Sequence, residues 1–203
     1  MTYAIEVNNL NKVYDGFELK DVCFKLETGT IMGIVGENGA GKSTIIKGIL
    51  DLINIDSGDI KIFGKDFKEN ASEIKKDISV VFDESYFHDN LKLPDIDKIM
   101  KNIYPNWDKN KFLKYTNHFK LPNNKRVKDF SRGMKMKLSI AVALSHNAKL
   151  LILDEATSGL DPVVRDEILD IFLDYIQNED CSILIASHIT SDLEKVADYI
   201  TFV

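Results

Sequence analysis

The chain has 203 residues, of which 44% are hydrophobic and 29% are charged, and its formal net charge is −6. This size and composition predict one globular domain with a substantial apolar core. The acidic balance argues against nucleic acid as the main partner, because such proteins usually present a basic face. The apolar runs are too short to span a bilayer, and the first residues have neither the basic start nor the apolar run of a secretory signal.

The N-terminal part of the chain predicts short strands followed by a strand–loop–helix unit. Residues 2–26 carry Val, Ile and Phe segments broken at residues 9–11, 15–16 and 27–29, which is typical of strands and turns. A buried strand is predicted over residues 30–35 and a helix over residues 43–50. Residues 78–82 predict another buried strand.

The middle of the chain differs from the parts that flank it. Residues 84–130 are rich in Lys and Asn, with apolar residues at helical spacing and with Pro94, Pro105 and Pro122 as breaks, which predicts several short helices. The runs at 149–153 and 182–186 are almost continuously apolar, as in parallel strands covered on both faces. Helices are predicted over residues 163–178 and 190–197.

The isolated cysteines and most histidines carry no functional pattern. Cys23 and Cys181 lack metal-ligand spacing and are interpreted as reduced, buried thiols. We interpret His88, His118 and His146, which lie in polar surroundings, as surface residues.

The loop between the strand at 30–35 and the next helix matches G-x-x-x-x-G-K-[ST], the phosphate-binding loop. It consists of Gly36, Glu37, Asn38, Gly39, Ala40, Gly41, Lys42 and Ser43. Glycines let successive backbone N–H groups curl around an anion, and the helix that comes next directs its positive end at the phosphates. Lys42 is predicted to reach the β- and γ-phosphates and Ser43 to ligate Mg²⁺. The loop alone would also fit a kinase, a GTPase or a helicase.

A pair of carboxylates ends the strand at 149–153. A buried strand delivers Asp154 and Glu155 to the carboxyl edge of the sheet, where open α/β folds bind ligands. We expect Asp154 to hold Mg²⁺ largely through its water shell, and Glu155 to polarise the attacking water. The alternative interpretation is an acidic pair that caps the next helix.

Taken together and in order, these motifs resemble those of the ABC ATPase family. After the loop and Thr44, the segment Phe130-Ser131-Arg132-Gly133-Met134 resembles the family signature, and Ser158-Gly159-Leu160-Asp161 resembles the D-loop. His188 stands where the family has its switch histidine, and Tyr14 where it has the aromatic that stacks on adenine. A packing role for Tyr14 or a core role for His188 is the alternative.

The resemblance implies a fold, a cofactor and an assembly. The expected fold class is α/β: a P-loop NTPase core with a mostly parallel sheet and flanking helices, an N-terminal antiparallel β subdomain and an inserted helical subdomain. The single domain would span residues 1–203, with its core at about 1–83 and 142–203 and the helical subdomain at about 84–141. Two chains would face head to tail, so that Ser131, Gly133 and Asp161 of one close the ATP and Mg²⁺ held by the other.

Three departures from the family pattern affect the expected site. Asp83 stands where the Q-loop glutamine is expected; it could still bind Mg²⁺ or its waters, but it would repel the γ-phosphate. Arg132 and Met134 replace a glycine and the glutamine of the signature, and the Arg132 side chain is expected to point to solvent or to the partner's ribose. Ala156 replaces the usual proline.

The signature and D-loop segments are most similar to those of the ATPase subunits of bacterial ABC-2-type exporters. Exporters of this type move drugs, antibiotics or peptides. This implies an ATPase at the cytoplasmic face of the membrane, held there by an integral permease and paired with a second copy or a paralogue. The permease would contribute a cytoplasmic helix to a groove lined by Tyr86, Phe87, Leu91 and Leu93, or else these residues pack the interior of the subdomain.

The alternative function is a soluble ABC ATPase that acts on ribosomes or nucleic acid. Family members usually continue past residue 203, so the resemblance implies a longer natural chain; residues 199–203 look like a strand that begins a hairpin.

Overall fold

The computed structural model describes residues 2–84 and 86–203. Its N-terminal part is an antiparallel sheet in the order β2-β1-β4-β5. The strands are β1 (Tyr3–Tyr14), β2 (Phe17–Glu27), β4 (Ser57–Ile62) and β5 (Lys65–Asp66). The prediction of short strands between residues 2 and 26 is wrong, because two long strands form a single hairpin there.

The predicted break at residues 9–11 is a β-bulge inside β1. The register with β2 shifts between Val7 and Leu10, and Asn9 adopts the left-handed conformation with φ 48°, which Asn tolerates better than most residues. The Asn11 side chain donates to Asn9 O at 2.8 Å and accepts from Asp21 N at 2.9 Å. These bonds replace lost ladder bonds, and the strand continues through the bulge.

The second sheet is parallel and positions the loops that carry the predicted site residues. Its order is β6-β7-β8-β3-β9, and every neighbouring pair is parallel. The strands are β3 (Ile31–Val35), β6 (Ile78–Val81), β7 (Leu150–Asp154), β8 (Ser182–Ser187) and β9 (Tyr199–Phe202). The buried parallel strands predicted from the apolar runs are confirmed. The predicted C-terminal strand is also present, and it pairs with β3.

Helices cover both faces of the parallel sheet. The helices are α1 (Lys42–Ile49), α2 (Phe67–Ile74), α3 (Leu93–Ile103), α4 (Lys109–His118), α5 (Arg132–Ala143), α6 (Pro162–Ile176) and α7 (Thr190–Val196), and a short 3₁₀ helix spans Val127–Asp129. One apolar cluster joins α1 and the antiparallel sheet to one face, and another joins α5, α6 and α7 to the other face. None of the helices in the described ranges is long and apolar enough to cross a bilayer.

The predicted short helices between β6 and β7 are confirmed, but the turn after α5 is not at the surface. His146 is 1% exposed, whereas His88 and His118 are exposed as predicted. Ser79 Oγ donates to Ala143 O at 2.6 Å and is also hydrogen-bonded to His146 Nε2. Ser79 of β6 is thus the hydrogen-bond partner of this buried imidazole, which the polar sequence neighbours do not reveal.

The two cysteines also have different environments. Cys181 is buried as predicted, but Cys23 is exposed. Asp21 has φ 48°, and this irregularity leaves Phe24 facing the core and Cys23 facing outward. The prediction of a buried thiol at position 23 is therefore wrong.

Candidate active site

The β3–α1 loop forms a backbone cradle at the carboxyl edge of the parallel sheet. Gly39 and Gly41 have φ values of 89° and 110°, a region that L side chains rarely adopt. A β-carbon on Gly41 would also lie 2.5 Å from a methyl carbon of Leu19 in β2. The close packing of the hairpin on this loop therefore requires glycine at position 41, where α1 begins.

Lys42 lies inside the cradle and is 5% exposed. Its Nζ donates to Gly36 O at 2.7 Å and to Glu37 O at 3.1 Å, and it lies 3.3 Å from Glu155 Oε1. The ammonium is thus held at the centre of the loop by oxygen atoms. A triphosphate entering the cradle would offer it phosphate oxygens in their place.

Ser43 and Asp154 present two hard oxygen donors at the base of the cradle. Ser43 Oγ donates to Asp154 Oδ1 at 3.0 Å, which brings the end of β7 to the start of α1. Burial raises the pKa of the Asp154 carboxyl; the nearby charges of Asp83 and Glu155 add to this, and the Ser43 hydrogen bond opposes it. A divalent cation at this place would stabilise the ionised carboxylate. The donor set fits Mg²⁺, which takes one or two protein ligands with phosphates and water.

Glu155 and His188 come directly after adjacent strands and meet beyond their ends. Glu155 N donates to Ala186 O at 2.9 Å, and His188 Nδ1 lies 2.6 Å from Glu155 Oε2. The Glu155 side chain is 16% exposed and that of His188 is 38% exposed. With φ 53°, Glu155 occupies the left-handed region, which costs a non-glycine residue about 1 kcal/mol or more.

A cavity of about 480 Å³ opens in front of these groups. Tyr14 and Phe17 from the β1–β2 hairpin line it on one side, and Asp83, just after β6, lines it on the other. The Tyr14 side chain is 44% exposed, so its ring is available to a flat ligand. The remaining lining residues are Asn38, Gly39, Gly41, Lys42, Ser43, Thr44 and Glu155.

The structure therefore brings most of the predicted nucleotide residues together. Tyr14, Lys42 and Glu155 lie around one cavity, Asp83 also borders it, and His188 touches Glu155 from the adjacent strand end. Phe17, which sequence reasoning missed, could have been suspected from its place across the turn from Tyr14. The alternative that Asp154 and Glu155 cap the next helix is wrong, because Asp161 is the N-cap of α6.

The predicted signature and D-loop residues form a separate cluster. Ser131 caps α5 through a hydrogen bond from Met134 N at 3.2 Å, and Asp161 caps α6 through one from Val163 N at 3.0 Å. Ser131, Gly133 and Asp161 do not occur among the described residues that line the 480 Å³ cavity. Within one chain, the phosphate-binding loop and the signature segment therefore lie on two distinct surfaces.

Arg132 is exposed, as predicted, and also contacts another segment of its own chain. Its side chain lies against the D-loop of the same chain: a β-carbon built on Gly159 would be 3.4 Å from Cζ and Nη1 of Arg132. Gly159 has φ 70°, and its missing β-carbon leaves room for the guanidinium group. The prediction that this side chain points to solvent is confirmed by its exposure; the contact with the D-loop is additional, and the contact with a partner's ribose stays a prediction.

Sequence reasoning also missed a polar network behind Glu155 and His188. It consists of Thr157, Arg165 and Asp192, and the first and last of these are 2% and 3% exposed. Asp192 lies in the first turn of α7, where a carboxylate normally signals helix capping. No sequence signal marks it as buried.

Comparison with known proteins identifies the family. The ABC transporter family model matches residues 19–158. A solved structure, an ATP-binding subunit of an ABC transporter, superposes with a TM-score of 0.87 at 26% identity, covering 98% of this chain and 85% of that one. The predicted α/β fold class is thus confirmed.

Three curated relatives share at least a third of their aligned residues with this chain. The ABC transporter ATP-binding protein YtrB of Bacillus subtilis (strain 168) is 34% identical, over 98% of this chain and 68% of its own length. The bacitracin transport ATP-binding protein BcrA of Enterococcus faecalis is 34% identical, over 98% and 66%. The lantibiotic transport ATP-binding protein SrtF of Streptococcus pyogenes is 36% identical, over 98% and 86%.

This chain therefore spans about two thirds of the length of the first two relatives. All three names describe ATP-binding proteins of transporters or of transport, which supports the transporter interpretation over the alternative of an ATPase acting on ribosomes or nucleic acid. The family match covers more than half of the chain, and the relatives exceed 30% identity. On that evidence the chain belongs to the ABC transporter family of ATP-binding, ATP-hydrolysing subunits.

Proposed function

We propose that this chain binds Mg-ATP in the 480 Å³ cavity and hydrolyses it to drive export through a membrane permease. The observation that carries the proposal is the convergence of Lys42, Glu155 and His188 beside the Ser43–Asp154 pair. These groups come from distant parts of the sequence. Phosphoryl transfer needs positive charge, a water-orienting carboxylate and a cation site within one small space, and this arrangement supplies all three.

Each residue has a role that fits its placement. Loop N–H groups and Lys42 hold the phosphates, and Tyr14 stacks on adenine. Ser43 and Asp154 would hold Mg²⁺, which when bound neutralises charge on the phosphates, and Asp83 could contact its waters from across the cavity. Glu155 accepts a proton from the attacking water, while His188 orients the Glu155 carboxylate and donates toward the γ-phosphate.

We propose that the working unit is a pair of ATPase chains, either two copies or this chain with a paralogue. Ser131, Gly133 and Asp161 lie outside the cavity of their own chain, and the start of α5 presents unpaired backbone N–H groups beside the Ser131 hydroxyl. Such a helix start is suited to a phosphate group. In a head-to-tail pair, each of these surfaces would close the nucleotide held by the other chain.

The permease would dock between β6 and the helical insertion. Tyr86 is 76% exposed and, with Phe87 and Met100, lines a cavity of about 270 Å³ beside His146. Of the four residues suggested for this groove, Leu93 is instead buried, and Leu91 and Phe87 pack against the core. A short apolar cytoplasmic helix of the permease is the proposed occupant, and it would hold the ATPase at the inner face of the membrane.

The names of two relatives indicate a class of cargo. BcrA is named for bacitracin transport and SrtF for lantibiotic transport. We propose that this chain powers the movement of a peptide antibiotic or a similar amphiphilic compound.

The catalytic assignment is tested with Glu155→Gln. Because an amide keeps the size of the side chain but accepts no proton, the variant should bind Mg-ATP and turn it over at least ~100-fold more slowly. It should also accumulate as an ATP-dependent dimer in size-exclusion chromatography. Glu194→Gln, an exposed change on α7, is the control and should retain wild-type turnover. Near-normal turnover of Glu155→Gln would reject the role of Glu155.

A further inference from the structure

A second contact joins the two loops that carry Glu155 and His188. Thr157 lies two positions after Glu155, and Asp192 lies four positions after His188. Thr157 Oγ1 donates to Asp192 Oδ2 at 2.8 Å, and both side chains are almost fully buried. The loops after β7 and β8 are therefore linked twice, once at the cavity and once behind it.

Arg165 of α6 provides the counter-charge for this buried carboxylate. Its Nε lies 3.6 Å from Asp192 Oδ2, and its Nη2 donates to Leu160 O at 3.4 Å. Burying an ion pair costs desolvation, and apolar side chains of similar size often stabilise a fold as well or better. Neither Thr157 nor Asp192 lines the cavity within the described part of the chain. The polar network therefore has no evident use other than to fix the geometry of the two loops.

The geometry that needs fixing is the backbone of Glu155. Its left-handed φ of 53° begins a turn closed by Ser158 N, which donates to Glu155 O at 3.0 Å. Thr157 lies inside this turn, and its hydroxyl is the side-chain contact between the turn and α7. A strained residue keeps its conformation only when the surrounding structure determines it. Without the anchor, the turn can relax and carry the Glu155 carboxylate away from His188.

We propose that Thr157 and Asp192 are positioning residues for hydrolysis, which hold Glu155 against His188 without touching the nucleotide. The inference rests on the proposed role of Glu155 as the group that accepts the proton of the attacking water. Because displacement of a reacting group by about 1 Å can cost a large factor in rate, loss of the anchor should lower turnover more than affinity.

The test is Thr157→Val, which removes the hydroxyl and keeps the branched shape. We expect kcat to fall at least ~10-fold while the Kd for ATP stays within about twofold. Thr157→Ser keeps the hydroxyl and should restore most of the rate. The matched control is Lys195→Ala, which removes an exposed ion pair to Asp166 between the same two helices, α6 and α7; it should leave kcat within about twofold.

A double-mutant cycle with Glu155→Gln separates positioning from general damage. If Thr157 acts through Glu155, adding Thr157→Val to Glu155→Gln should change turnover less than about twofold. An additive loss, or a kcat unchanged in Thr157→Val, would overturn the inference. Normal turnover of Glu155→Gln by itself would instead reject the proposed function.

Circular dichroism melting shows whether each variant is folded, so that a lower kcat is not mistaken for the effect of misfolding. Should Thr157→Val not fold, Asp192→Leu enters the same assays, because leucine has a similar volume and lacks the oxygen that accepts the Thr157 hydroxyl. We expect the same pattern from this variant. Its kcat should fall, its affinity for ATP should be kept, and adding it to Glu155→Gln should lower turnover no further. A folded Asp192→Leu with wild-type kcat would contradict the inference equally well.

Discussion

Replacing Lys42 by methionine isolates the contribution of one buried charge to nucleotide binding. The side chain is 5% exposed, and its ammonium contacts two loop carbonyls and lies 3.3 Å from Glu155. Methionine has a similar length and no charge. The cradle of backbone N–H groups should therefore remain while the contacts of the ammonium are lost.

The expected loss can be estimated from those contacts. A hydrogen bond to a charged group contributes about 1.5–3 kcal/mol, and a bound triphosphate would offer the ammonium two phosphate groups. Part of this gain is offset, because the ammonium gives up the carbonyls of Gly36 and Glu37 and its pairing with Glu155 when the nucleotide enters. A net loss of about 2–3 kcal/mol corresponds to a Kd for ATP raised about 30- to 150-fold.

Titration with a fluorescent ATP analogue in the presence of Mg²⁺ measures the change. AMP lacks the β- and γ-phosphates, so its affinity should change less than about threefold. Lys47→Met removes an exposed lysine from the same helix and should leave ATP binding within about twofold. If Lys42→Met bound ATP as tightly as the wild type, or lost AMP affinity equally, the assignment of the loop to the β- and γ-phosphates would be wrong.

Three further changes test other parts of the molecule. Ser131→Arg should still bind ATP but fail to form the ATP-dependent dimer seen with Glu155→Gln; a dimer at normal nucleotide concentration would argue against a shared site. Asp83→Gln should keep basal ATPase within a few-fold and alter its stimulation by the permease, whereas abolished basal turnover would make Asp83 a metal ligand. Burial lowers the pKa of His146 to about 4, from an ordinary value of 6.5. Between these two pKa values the unfolded chain binds more protons than the folded chain does. Acidification from pH 7 toward pH 4 should therefore remove up to about 3 kcal/mol of stability. Urea denaturation at several pH values should show that the stability of His146→Gln depends less on pH than that of the wild type. An unchanged dependence would assign the effect to other groups.

The central site could be predicted from sequence because each part obeys a local rule. Lys42 is placed by a loop whose glycines have few other uses, and Asp154 and Glu155 are placed by the end of a buried strand. His188 comes after the adjacent strand in the same way. Parallel strands deliver the residues at their carboxyl ends to one edge of the sheet, so the apolar runs predict the shared edge, and the family resemblance adds that Glu155 and His188 belong to one site.

The remaining contacts depend on which side of a helix or turn faces the core. Thr157 and Asp192 are 35 positions apart, and their meeting is set by how α6 and α7 pack against β8. His146 is flanked by Ser145 and Asn147, a polar setting that hides its burial between β6 and α5. The conformations of Asn9 and Asp21 likewise decide where the alternation of buried and exposed side chains shifts along the two strands. The shift in β2 leaves Cys23 exposed. Such features come from tertiary packing, which overrides local composition.

The contact between Arg132 and Gly159 has a consequence for how two chains would communicate. Because the guanidinium group lies against the D-loop, the start of α5 is in contact with the turn before α6. In the proposed pair of chains, a displacement of that turn would reach Arg132, which lies next to Ser131 at the start of α5. If two chains pair as proposed, the arginine that replaces a signature glycine would connect the state of a chain's own nucleotide to the surface that its partner meets.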